Sequence, residues 1–280
     1  MAAAAGAGED PRPLPPESIL ARRIEEEHAA SVVRLHKIVR AGKKQGCGTG
    51  FVVLSTANRL VIMTCGHSFK DWVPDTAVAV TFHDRREASA EVVWVKTHKE
   101  VALLLIVNSP ELSVYPAVDF SYDDVRFGDF LVTLGHPYAS GYHDVWNNFG
   151  SVTKEPGLVA NSSGDIVQMF GGDFGSGPGA SGSPVFRADG RVVGICISGL
   201  QDVAYALSVG WIRETLRDMN EVKKRKLQDP TIQEMIELCY VHVPPRGHAG
   251  AGSSTGGSDA QPSEAGDAMD ASDSMRSGKA

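Results

Sequence analysis

A chain of 280 residues with a formal charge of −7 has room for one large domain plus tails, or for two small domains. It lacks the basic balance of a general nucleic-acid binder. Its hydrophobic share of 42% suits a globular protein, and no apolar run is long enough to cross a membrane.

Residues 1–16 are rich in Ala, Gly and Pro and are expected to be disordered. They show no basic stretch leading into an apolar one, so they do not read as a secretory signal. On that ground the chain is expected to be soluble and intracellular, in the cytoplasm and not secreted. Residues 17–30 form a helical extension, its apolar face carried by Ile19, Leu20 and Ile24. Short β-branched runs follow at 31–39, 49–54, 60–64, 76–82, 90–96 and 101–107, separated by turn formers. After a junction near 118–128 the runs resume at 130–134, 149–152, 166–170, 184–186, 191–198 and 204–208. So many short strands without intervening helices predict an all-β protein, a sandwich or a pair of barrels, over residues 31–213. Helical spacing returns at 209–226 and 231–240, within an extension expected over 214–246, and 247–280 reads as a disordered tail.

The segment Gly179-Ala180-Ser181-Gly182-Ser183-Pro184 carries the clearest chemistry. An attacking serine needs its hydroxyl exposed on a tight turn, with backbone N–H groups facing the developing oxyanion, and flanking glycines permit that turn. A plain Gly/Ser surface loop is the other reading of the segment. The nucleophile requires a base. His67 follows the apolar strand 61–65 and would stand at a barrel rim, although a surface or capping histidine has the same pattern.

Together these motifs resemble the trypsin-like serine protease superfamily, in its HtrA/Deg branch. Gly46-Cys47-Gly48-Thr49-Gly50-Phe51 is similar to the family's glycine-rich strand opening, and Thr64-Cys65-Gly66-His67 to its histidine motif. Residues 128–137 resemble the strand entering the second barrel, and 204–209 the closing strand before a helix. The resemblance spans about residues 31–215, in order. It implies two antiparallel β-barrels with the site in the cleft between them. His67 and an acid would come from the first barrel and Ser181 from the second. The N–H groups of Gly179 and Ser181 would form the oxyanion hole. Gly175 would floor the specificity pocket and Cys196, Ile197 and Ser198 would form one wall, favouring a small or medium apolar side chain.

The resemblance breaks at the acid. The family's aspartate is matched by Glu100 in Glu100-Val101-Ala102-Leu103-Leu104. Glu100 either orients His67 through a longer arm or is a remnant in a pseudoprotease that binds peptides or scaffolds a partner. The family's peptide-binding PDZ module does not fit in the residues after Arg213. The four cysteines, at 47, 65, 196 and 239, read as reduced thiols, with one bridge from Cys47 to Cys65 left open. The basic run Lys223-Lys224-Arg225-Lys226 is either a nuclear-import signal or the charged last turn of a helix. The expected activity is endoproteolysis by His67, Glu100 and Ser181. It takes a polypeptide substrate and needs no metal or cofactor, with neither nucleic acid nor membrane as partner and the oligomeric state open.

Overall fold

The computed structural model describes residues 15–38, 44–70, 77–107, 114–137, 145–200 and 202–241. The expected disordered tails therefore lie outside the described residues, apart from Pro15 and Pro16, and Pro16 opens the first helix.

Among the described residues, twelve strands close into two antiparallel barrels. The first holds β1 (Val32–Ile38), β2 (Lys44–Ser55), β3 (Arg59–Thr64), β4 (Val78–Thr81), β5 (Glu87–Lys96) and β6 (Val101–Val107), in the order β1-β2-β3-β6-β5-β4. The second holds β7 (Phe130–Gly135), β8 (Trp146–Ala160), β9 (Ile166–Gly172), β10 (Pro184–Arg187), β11 (Val192–Leu200) and β12 (Val203–Ser208), in the order β10-β11-β12-β9-β8-β7. Closure pairs β1 with β4 and β10 with β7, so neither sheet keeps an open edge.

The run Val101–Val107 is apolar throughout because both faces of β6 are covered. Ala102, Leu104 and Ile106 join Leu35, Ile62 and Phe69 in the core of the first barrel. Val101 and Leu103 point the other way, into the cluster that also holds Leu134 and Phe186 of the second barrel. One strand thus serves a barrel interior and the seam between barrels, with the side-chain period of two separating the tasks. The connection between barrels is clipped to both: the Val118 N–H donates to the Val52 carbonyl (3.0 Å) and the Ser121 N–H to the Val192 carbonyl (2.9 Å).

The helices cross over. α1 (Pro16–His28) precedes the first barrel in sequence but packs on the second, where Arg23 donates to the Ala188 carbonyl (2.8 Å) and Glu25 accepts from Asn147. The helical pattern expected over 209–226 divides into α2 (Val209–Leu216) and α3 (Asn220–Arg225). The break falls where Asp218 turns to hold Lys99 (2.9 Å) and Lys223 (3.1 Å) and Met219 becomes extended and buried. α4 (Ile232–Tyr240) starts in a Thr231/Glu234 capping box and ends against the first barrel, where Arg59 donates to the Tyr240 and Val241 carbonyls.

Candidate active site

Ser181 stands on a turn between β9 and β10. Ala180 N–H closes on the Gly177 carbonyl (2.9 Å) and Ser183 N–H on the Ala180 carbonyl (3.0 Å), while Gly182 N–H reaches Cys196 of β11 (2.7 Å). Gly182 has φ 90°, and a Cβ there would collide with the Thr49 carbonyl and the Thr64 hydroxyl. The elbow can therefore lie against the first barrel only with glycine in that place. Among the described residues the N–H groups of Gly179 and Ser181 make no hydrogen bond, whereas their neighbours at 180, 182 and 183 are all engaged.

Thr49, from the glycine-rich opening of β2, holds the turn from the other barrel. Its N–H donates to the Ser181 carbonyl and its hydroxyl to the Gly179 carbonyl, both at 2.9 Å. The same hydroxyl accepts the His136 N–H (2.9 Å).

His67 begins a short 3-10 turn, His67–Phe69, just beyond β3, anchored by the buried Phe69 ring. Glu100 follows a second such turn, Thr97–Lys99, and adopts the left-handed conformation (φ 62°, ψ 30°). Gly66 lets the two turns touch, since a Cβ there would lie 2.8 Å from the Lys96 carbonyl oxygen and 3.0 Å from Glu100 Cα. The Glu100 side chain is only 2% exposed, and its Oε2 accepts from both the His67 N–H (2.9 Å) and His67 Nδ1 (2.8 Å). Its other oxygen, Oε1, accepts from Asn161 Nδ2 (2.9 Å).

His67 Nε2 lies 3.6 Å from Cys65 Sγ, and the Ser181 hydroxyl donates a long bond (3.4 Å) to the Ile197 carbonyl. No hydrogen bond joins Ser181 to His67 among the described residues. Catalytic hydrogen bonds are commonly long or misaligned until substrate is seated. Burial opposes charging of the imidazole, but the Cys65 sulfur and then the Glu100 carboxylate outweigh it and hold the ring above its usual range.

Of the expected pocket residues, Cys196 and Ile197 of β11 lie against the serine turn. Gly175 has φ 74°, and the Asn148 side chain of β8 occupies the space a Cβ there would take. Buried Cys196 donates weakly to Ser176 Oγ (3.6 Å), Ile197 presents its carbonyl to Ser181, and Ser198 lies half-buried one residue on. Cys65, Cys196 and Cys239 are free thiols, and the side chain of Cys47 lies outside the described residues. Asn161, Asn148 and the clasp made by Thr49 were not foreseen. Nothing in the sequence of residues 161–165 points to a carboxylate in the other barrel.

The profile of the trypsin-like peptidase domain matches residues 48–195, just over half of the chain. A probable periplasmic serine endoprotease DegP-like of Pseudomonas fulva is 29% identical over 157 residues, covering 56% of this chain and 30% of the relative. The periplasmic pH-dependent serine endoprotease DegQ of Escherichia coli is 23% identical over 189 residues, covering 64% and 39%. The chain thus spans about a third of the length of these curated relatives. Among solved structures, the active form of the Rv3671c protease from M. tuberculosis has a TM-score of 0.56 at 21% identity, covering 76% of this chain and 95% of that one. The HtrA-type protease AlgW with tripeptide has a TM-score of 0.59 at 18% identity, covering 73% and 64%.

These relatives correct one expectation. They are named periplasmic, which overturns the intracellular reading, cytoplasmic or nuclear. The composition of the first residues does not determine the compartment. The basic run offers the intracellular reading no support either, because Lys223 pairs with Asp218 (3.1 Å) and Lys224 with Glu221 (2.7 Å) at the end of α3. With two closed barrels, a serine turn, a histidine paired with a buried carboxylate, and a family match across 48–195, the chain belongs to the trypsin-like peptidase family, with HtrA/Deg proteases among its relatives.

Proposed function

We propose that this chain is a serine endopeptidase in which Ser181, His67 and Glu100 act as the triad. The observation that carries this reading is the 2.8 Å hydrogen bond between His67 Nδ1 and the buried Glu100 carboxylate. In the neutral ring it holds the proton on Nδ1 and leaves Nε2 as the base.

His67 Nε2 removes the hydroxyl proton as Ser181 Oγ bonds to the scissile carbonyl carbon of a polypeptide. The carbonyl oxygen becomes an oxyanion received by the N–H groups of Gly179 and Ser181. Collapse of the intermediate breaks the C–N bond, and the leaving amine takes the proton from Nε2. Water, deprotonated by the same nitrogen, then releases the acyl group. Glu100 stays ionised and stabilises the imidazolium. A floor at Gly175 narrowed by Asn148, with Cys196, Ile197 and Ser198 as wall, favours a small or medium apolar residue before the scissile bond.

One observation favours a non-catalytic peptide-binding protein instead: the Ser181 hydroxyl bonds to Ile197 and not to His67. A fluorophosphonate probe separates the two, because it labels only an activated serine. We expect labelling of the wild type and none of Ser181→Ala or His67→Ala. A wild type that stays unlabelled would favour the peptide-binding reading.

A further inference from the structure

Glu100 carries a buried negative charge, and a buried carboxylate is tolerated only where donors meet its oxygens. His67 serves Oε2 twice, through its backbone N–H and Nδ1. Among the described residues Oε1 has one partner, Asn161 Nδ2 at 2.9 Å. Asn161 follows β8 of the second barrel, and the two residues are 61 positions apart in sequence.

The orientation of the Asn161 amide follows from its surroundings. Its Oδ1 accepts the N–H groups of Ser163 and Asp165, each at 2.9 Å, so the NH2 end faces the carboxylate. Its own N–H donates to the Asp165 carbonyl and its carbonyl accepts from Gly164 N–H, which locks the residue into the β8–β9 turn. A rigid donor is thereby fixed in the second barrel and aimed at the acid of the first.

We propose that Asn161 is a positioning residue for the triad: its amide holds Oε1 so that Oε2 stays on His67. The added methylene of glutamate places a carboxylate oxygen within reach of the second barrel, and Asn161 restrains the arm that glutamate makes longer. Orientation of His67 then depends on how the two barrels sit against each other. This proposal rests on the triad reading above.

The test uses the full chain with Asn161→Ser and Asn161→Ala. Serine can still accept a backbone N–H in the turn but is too short to reach Glu100, whereas alanine loses both contacts. We expect Asn161→Ser to lower kcat about 10–100-fold with KM unchanged, the scale of a small misplacement of a catalytic group. Its melting temperature should fall by a few degrees, less than that of Asn161→Ala, because Oε1 loses its donor. The low-field Nδ1 proton resonance of His67, assigned by its absence in His67→Ala, should be lost to solvent exchange in Asn161→Ser. Unchanged kcat with the resonance still sharp would overturn the proposal. So would a fall in kcat that only tracks a fall in melting temperature while the resonance persists, since that describes a turn residue. If the wild type does not react with a fluorophosphonate, the triad reading fails and the resonance alone decides. Its loss in Asn161→Ser supports the positioning role, and its persistence removes it.

Discussion

Thr49 of the first barrel holds the Ser181 turn of the second by two hydrogen bonds of 2.9 Å, from its N–H to the Ser181 carbonyl and from its hydroxyl to the Gly179 carbonyl. Replacing Thr49 by valine keeps the shape and removes the hydroxyl. The buried Gly179 carbonyl then loses its donor and the His136 N–H loses this acceptor. Thermal or denaturant unfolding should show a loss of about 1–3 kcal/mol. Probe labelling of Ser181 should slow, because the N–H groups at 179 and 181 lose their frame. Equal stability and equal labelling would mean that the clasp is incidental.

Glu100→Gln sets the donors around the side chain against one another. His67 N–H and Asn161 NH2 both need an acceptor, and glutamine has one carbonyl oxygen where glutamate offers two. An NH2 turned toward Nδ1 favours the tautomer with the proton on Nε2, which cannot act as a base. Steady-state kinetics should show kcat lower by about 10⁴. Loss of the carboxylate also removes an influence that favours imidazolium, so the acid limb of kcat/KM should move to lower pH. A limb that stays in place would separate Glu100 from the titration of His67.

Glu100→Asp tests the length of the arm. Aspartate tolerates the left-handed backbone at this position better than glutamate does, which offsets part of the cost of the lost donor, so the melting temperature should change little. The shorter side chain cannot meet both His67 and Asn161, and kcat should fall about 10–100-fold. An increase in kcat would show that the second-barrel contact is dispensable.

The turn before Glu100 is fixed from outside the barrel. Trp211 of α2 donates its indole N–H to the Lys99 carbonyl (3.1 Å), and Lys99 pairs with Asp218 (2.9 Å), whose carboxyl the two lysines hold below its usual range. Trp211→Phe should cost about 0.5–1.5 kcal/mol for the lost hydrogen bond. It should also lower kcat by loosening the left-handed residue that follows. A stability loss with kcat intact would confine α2 to a structural role.

His28 gives a pH dependence of stability. It ends α1, stacks on Phe186 with ring centroids 4.6 Å apart, and fits because Gly190 has no side chain to meet its ring. Burial depresses its pKa, against weaker opposing effects of Glu27 and Asp119. The unfolded chain therefore binds the proton more readily, so the contribution is present above the unfolded value of about 6.5 and fades as pH falls below it. Unfolding free energies measured from pH 7.5 to 5 should drop more steeply for the wild type than for His28→Gln. Parallel slopes would take His28 out of the account.

Local patterns announced the strands. The continuous apolar runs of β3 and β6, bounded by turn formers, follow from the burial of both faces of a short strand, which is a local demand on the chain. Glycines at 66, 179 and 182 marked places where a backbone must come close to another or turn left-handed, and they drew attention to His67 and Ser181 as candidates. What the sequence does not contain is the relative placement of the barrels, because that is settled by packing among residues far apart in the chain. Only in three dimensions does Thr49 meet Gly179, 130 positions away, or Asn161 meet Glu100. The same holds for the neighbours of the imidazole. Cys65, two residues before His67, showed no sign in sequence that its sulfur would face Nε2, since backbone direction at the end of β3 decides it. Residue types and their spacing named the groups able to do chemistry, while hydrogen-bond satisfaction at the buried seam decided which of them touch.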